Sequence, residues 1–159
     1  MSALKAGRAN ALIVISRYYE HIAAQLLAGA TAALDAADAG YEVVEAPGAL
    51  EIPAVIAMAL EAARFTKWTA EGRYQGAVAL GCVIRGETSH YDIVAGESAR
   101  ALMDLSVAHR LPFGNGVLTV ENERQALERA DPAGLNKGGD AANACLAMIA
   151  VKAAFARAE

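Results

Sequence analysis

Four runs of this chain are apolar at nearly every position, and each is followed by residues that repeat at helical spacing, an order that admits few folds. Ala11–Ile15 is the first run, and from Tyr19 onward Ile22, Leu26, Ala30 and Ala33 share one helical face until Gly40. Tyr41–Ala46 is the second; Pro47 and Gly48 turn the chain, and Pro53 suits the first turn of a helix running to about Phe65. Gly76–Ile84 is the third, followed by a helix with Tyr91, Val94, Ala95, Ser98, Ala101, Leu102 and Leu105 on one stripe, stopped before Pro112. Val117–Val120 then precedes a short helix, Asn122–Ala130. After the Asn136-Lys137-Gly138-Gly139 turn, Asp140 is expected to cap a last helix whose inner face is Ala144, Met148, Val151 and Phe155. Strands that are apolar throughout, rather than alternating, belong in parallel sheets covered on both faces. The expected fold is therefore an α/β three-layer sandwich: a four-stranded parallel sheet, in flavodoxin-like order, flanked by helices on both faces. No linker or repeat interrupts it, so residues 1–159 are read as one domain.

Composition removes several classes of function. A net charge of −4 supplies no basic face for nucleic acid. Cys82 and Cys145 form neither a zinc pattern nor a CxxC pair and read as small core residues. The apolar run after Lys5 and Arg8 is too short for a signal-peptide core or a membrane span, so no membrane partner and a cytoplasmic location are expected. A hydrophobic share of 55% is high for 159 residues, and part of that surface is expected to face other subunits.

In a parallel sheet ligands bind at the carboxyl ends of strands, here Ser16–Tyr19, Pro47–Glu51, Arg85–His90 and Thr119–Asn122. The most informative of these lies within GCVIRGETSHYDIV, residues 81–94: the end of a strand, a tight turn at Gly86, and a helix start marked by Thr88 and Ser89. Free backbone N–H groups, two hydroxyls and the positive end of the helix dipole favour an anion there. His90, in that same turn, can exchange a proton near neutral pH. A purely structural reading stands beside this one, because Ser89 and Asp92 nearly make a capping box that would merely start the helix.

Taken together, APGALEIP at 46–53, GCVIRGETSHYDIV at 81–94, and NGVLTVENERQALERA followed by NKGGDAA between residues 115 and 142 resemble the lumazine synthases, in order and spacing along nearly the whole chain. The resemblance implies a transferase of riboflavin biosynthesis that condenses 5-amino-6-(D-ribitylamino)uracil with 3,4-dihydroxy-2-butanone 4-phosphate, giving 6,7-dimethyl-8-ribityllumazine, phosphate and water. No metal or cofactor is implied. By position in the motifs, His90 matches the proton-transfer histidine and Arg129 the arginine that grips the phosphate, while Thr88 and the backbone around Glu87 complete the cradle. Tyr18 matches the aromatic residue that stacks on the heterocycle. Ala49, Leu50 and Glu51 match the ribityl-binding turn; Cys82, Val83 and Ile84 match the strand end that lines the ring pocket, and Lys137 a lysine near the pyrimidine carbonyl. The family's sites lie between neighbouring subunits of a pentameric ring, so Asn115, Arg129 and Lys137 are expected to serve the adjacent chain.

The chain departs from the family pattern at three places. Asn115 stands where many relatives have phenylalanine, Leu50 where an aromatic residue is frequent, and DPAGLN at 131–136 where shell-forming relatives read GTKAGN. Pro132 fixes a backbone angle in that last turn, which favours a free pentamer over an icosahedral shell. The alternative function is a flavin or lumazine carrier on the same fold without catalysis.

Overall fold

β1 (Asn10–Ser16) and β3 (Gly76–Ile84) lie side by side in the middle of a parallel sheet, because they alone are buried along almost their whole length. The computed structural model describes residues 4–65 and 73–157. Among these, four strands pair in the order β2-β1-β3-β4, with Ile13 opposite both Val43 and Val78, and Val78 opposite Gly114. The edge strands β2 (Gly40–Ala46) and β4 (Phe113–Val120) do not follow the expectation of strands apolar throughout, since Val44, Glu45, Asn115 and Thr119 face solvent. An edge strand has one neighbour and incomplete helix cover, so polar residues there cost little.

Alternate strand residues serve two cores. Ile13, Ile15, Val78, Leu80 and Leu118 meet α1 (Glu20–Ala36), α4 (Glu123–Ala130) and α5 (Lys137–Ala156) on one face. Leu12, Val14, Ala77 and Ala79 meet α2 (Ile52–Glu61) and α3 (His90–His109) on the other. The three-layer sandwich and its flavodoxin-like order are as expected. The inner stripe of α3 is also as read from the pattern, with Val94, Ser98 and Leu102 buried.

The last helix is the main correction. α5 begins at Lys137, not after Gly139, and its cap is Asn136, whose left-handed backbone (φ 48°) lets Oδ1 accept from Gly139 N–H at 3.2 Å. Asp140 instead pairs with Lys137 at 3.0 Å. The buried face is Gly138, Gly139, Ala141, Ala142, Cys145, Ile149 and Ala153, while Ala144, Met148, Val151 and Phe155 face outward, Phe155 being 77% exposed. Proximity decides this. A Cβ on Gly138 would stand 2.0 Å from the Leu26 carbonyl oxygen, and one on Gly114 only 1.8 Å from that of Ala141, so α5 touches the α1 and β4 backbones where only small residues fit. The same contact explains why β4 starts at Phe113 rather than Val117: glycines that look like loop punctuation are where a helix lies on the strand. α5 is long and apolar enough to cross a bilayer by length and composition, with a mean hydropathy of 1.3, but its inner face is packed on α1 and β4.

Two smaller differences concern helix ends. α2 follows a 3-10 turn at Ala49–Glu51 and stops at Glu61, short of Phe65, because Ala63 takes a left-handed conformation (φ 52°). α4 starts as expected, Asn122 Oδ1 accepting from Gln125 N–H at 3.0 Å.

Candidate functional site

β1 leads to β2 on one side and pairs with β3 on the other, so the connections leaving the carboxyl ends of β1 and β3 diverge and leave a crevice between them. A cleft of about 370 Å³ occupies it. Its floor is apolar: Ala49, Val83 and Val94 pack together, one from the 3-10 turn, one from β3 and one from α3. Ser16, at the end of β1, and Cys82, in β3, border the same space.

One wall is aromatic. Tyr18 and Tyr19 meet edge to face, ring centroids 5.0 Å apart at 77°, and Tyr18 remains 76% exposed, a flat face available for stacking. Burial, with Tyr18 beside it, raises the Tyr19 phenol above its ordinary range, so its hydroxyl stays protonated and can donate. Next along the rim come Leu50 and Glu51, held by the 3-10 turn, with a carboxylate that can accept from hydroxyls.

The opposite wall is the start of α3. Thr88 and His90 both line the cleft, and His90 N–H donates to Thr88 Oγ1 at 3.3 Å. Ser89 makes no side-chain cap, so the capping box with Asp92 is not formed; Asp92 pairs with Arg85 at 3.3 Å. Gly86 corrects the expectation of a tight glycine turn, since its backbone is not left-handed and a Cβ there would meet nothing within 4 Å. The bend is made by ordinary backbone.

The structure therefore brings together Tyr18, Ala49, Leu50, Glu51, Cys82, Val83, Ile84, Thr88 and His90. Glu87 sits exposed on the β3–α3 connection without lining the cleft. Asn115, Arg129 and Lys137 lie elsewhere. Asn115 is on the exposed side of β4, its Oδ1 accepting from Val117 N–H at 3.0 Å. Arg129 is half-buried on α4, on the sheet face opposite α2 and α3, and donates to the Gln125 carbonyl at 3.1 Å. Lys137 heads α5 beside Asp140. Ser16 and Tyr19, which line the cleft, fall in the Ser16–Tyr19 strand end expected to bind ligand, although only Tyr18 of that segment was given a role; Tyr91 and Val94 were missed as lining residues. Tyr91 and Val94 were visible only as core stripe positions, although the i,i+4 spacing from His90 also turns Val94 towards the crevice. Among the described residues, no three His, Cys, Asp or Glu side chains are grouped as metal ligands.

The family model described as 6,7-dimethyl-8-ribityllumazine synthase matches residues 8–153. The chain belongs to this family. A 6,7-dimethyl-8-ribityllumazine synthase of Methylorubrum extorquens is 62% identical over 143 residues, covering 90% of this chain and 80% of the relative. One from Methylobacterium radiotolerans is 61% identical over 144 residues (91% and 82%), and 6,7-dimethyl-8-ribityllumazine synthase 1 of Rhodopseudomonas palustris is 54% identical over 151 residues (94% and 90%). The family match runs from before β1 to Ala153 in α5 and so includes both the cleft and the separate Asn115, Arg129 and Lys137.

The thiols are chemically quiet in this setting. Desolvation pushes Cys82 up to about 12, and Cys145, buried under α5, also to about 12. A raised thiol value means less thiolate at any pH below it, and the thiolate is the reactive form. Iodoacetamide at pH 8 should therefore modify both cysteines of the folded protein about a hundredfold or more slowly than free cysteine, with normal reactivity returning on unfolding. Rapid labelling of Cys82, read by intact mass, would contradict the environment described.

Proposed function

We propose that this protein is a 6,7-dimethyl-8-ribityllumazine synthase and that its cleft is one half of an active site completed by a neighbouring copy. The observation that carries the reading is the meeting of a stacking tyrosine, a carboxylate turn and a Thr88–His90 helix start in one crevice of a chain belonging to this family. In it, 5-amino-6-(D-ribitylamino)uracil lies against Tyr18 over the floor of Ala49, Val83 and Val94, and the ribityl hydroxyls meet the Ala49–Glu51 turn. Cys82, Val83 and Ile84 shape the ring pocket. The phosphate of 3,4-dihydroxy-2-butanone 4-phosphate sits at Thr88 and the first turn of α3, with the backbone around Glu87 beside it, where the positive end of the helix dipole favours an anion.

The chemistry asks chiefly for orientation and proton movement. The amine attacks the ketone carbon and water leaves to give the imine; loss of a neighbouring proton expels phosphate and leaves an enol, which returns to the ketone, and the second amine closes the ring on that carbonyl with loss of a second water. His90 is placed to accept and return those protons, and holding the two reactants in register supplies much of the rest.

Asn115, Arg129 and Lys137 lie outside their own chain's cleft, which supports their assignment to the cleft of the adjacent subunit. Arg129 brings a planar fork suited to two phosphate oxygens. A homopentamer, or a pair of pentamers, is the assembly we favour, in the cytoplasm. The DPAGLN turn supports it: Asp131 fixes this segment by accepting from Gly134 and Asn136 N–H through its carbonyl (2.9 and 3.0 Å) and from Ala133 N–H through Oδ1 (2.9 Å).

Arg129→Ala should raise KM for the phosphate-bearing substrate much more than for the pyrimidine, by about 1.5–3 kcal/mol in binding, the size of a lost charge-assisted pair. Equal weakening of both would remove the phosphate role. His90→Ala should bind both substrates yet turn over more slowly, near the lower end of the ~10²–10⁴-fold range for general acid–base help, because orientation survives. An unchanged single-turnover rate would reduce His90 to a helix-start residue. Light scattering should return the mass of five or ten chains; a megadalton particle would overturn the assembly.

A further inference from the structure

Arg85 lies just past the end of β3 and does not line the cleft, yet its side chain holds three groups on two other elements. Nε donates to Glu121 Oε2 at 2.8 Å, just past the end of β4, and NH1 reaches Asp92 Oδ1 at 3.3 Å in the first turn of α3. The guanidinium carbon also stands 4.2 Å from the centroid of the Tyr91 ring, a cation–π contact. The backbone joins in, Arg85 N–H donating to the Val120 carbonyl at 2.9 Å. Tyr91 lines the cleft, and His90 is its immediate neighbour.

We propose that Arg85 is a positioning residue, which fixes the first turn of α3 to the ends of β3 and β4 and thereby sets where His90 and Thr88 stand in the cleft. The reason lies in the missing cap. Ser89 makes no side-chain cap, so that helix start has only the 3.3 Å bond from His90 N–H to Thr88 Oγ1 as a local side-chain fastening and is tied down from the side through Asp92 and Tyr91. A single exposed ion pair contributes little, but here one planar guanidinium engages two carboxylates and a ring together, which a lysine ammonium cannot reproduce. The effect on turnover rests on His90 moving protons as proposed above; the effect on the helix start does not.

The test uses the assembled protein and the variants Arg85→Ala, Arg85→Lys, His90→Ala and the Arg85→Ala/His90→Ala double variant. Hydrogen exchange reads the Asp92 and Ile93 amides, which donate to the Ser89 carbonyl at 3.0 and 3.4 Å. In Arg85→Ala these should exchange roughly three- to tenfold faster while β1 and α1 amides are unchanged, the scale of a surface ion-pair network with a stacked ring. Arg85→Lys should fall between the two. With both substrates, kcat should drop about as much in Arg85→Ala, and the drop should vanish in the His90→Ala background, because residues acting through one another are not additive. Unchanged exchange of Asp92 and Ile93, or a loss of kcat repeated in full without His90, overturns the proposal. A wild-type protein that turned over neither substrate would instead sink the proposed function, and exchange would still decide the positioning.

Discussion

Parallel pairing of β1 with β3 is the constraint from which the rest of this molecule follows. With β2 on the other side of β1, the chain leaves the middle of the sheet in two directions, and the carboxyl ends of β1 and β3 cannot both be covered by the same connection. A crevice results at that point. Ser16, Val83 and the turn at Ala49–Glu51 border it because of where their strands end, and α3 closes it because the chain must return across the sheet after β3. The residues proposed to do chemistry are thus held on a frame whose own residues are chosen for burial alone.

The isolated chain leaves large apolar side chains open on α2, α3 and α5. Met58 on α2 and Ile93, Met103 and Val107 on α3 are each more than half exposed, and Met148, Val151 and Phe155 on α5, with Leu135 just before it, are also exposed. None of these belongs to the two main cores, whose fully buried side chains include Leu12, Ile13, Ile15, Ile56, Leu80 and Leu102. Exposed apolar side chains are what subunit contact uses, and they accord with the proposed sharing of Asn115, Arg129 and Lys137 between copies.

The two ends of the cleft are secured differently. On the tyrosine side, Tyr19 holds Tyr18 by an edge-to-face contact and the 3-10 turn is continuous with α2. On the histidine side Ser89 makes no side-chain cap, and beside the Thr88 bond the ties of Arg85 to Asp92, Tyr91 and Glu121 hold the helix start. A helix start held from outside can be tuned by residues distant from the substrate, whereas a buried floor such as Ala49, Val83 and Val94 cannot change without altering the pocket itself.

Periodicity was sufficient for the architecture, because burying β1 and β3 on both faces requires uniform apolar runs and a helix after each strand. The motifs around Ala49–Glu51 and Cys82–His90 likewise announced one crevice, since strand ends in a parallel sheet converge on it. The face of α5 was not legible. Met148, Val151 and Phe155 are the apolar choice by hydrophobicity, but the distance between backbones admits only Gly138, Ala141, Ala142 and Cys145 at the closest approach, and that distance exists only once α1 and β4 are in place. Nor could spacing along the chain reveal that Arg85, Tyr91, Asp92 and Glu121 meet, whereas the family motifs already implied that Asn115, Arg129 and Lys137 would stand apart from the cleft of their own chain. Hydrophobic pattern specifies which residues leave water; which of them touch is decided by how closely the packed backbones approach.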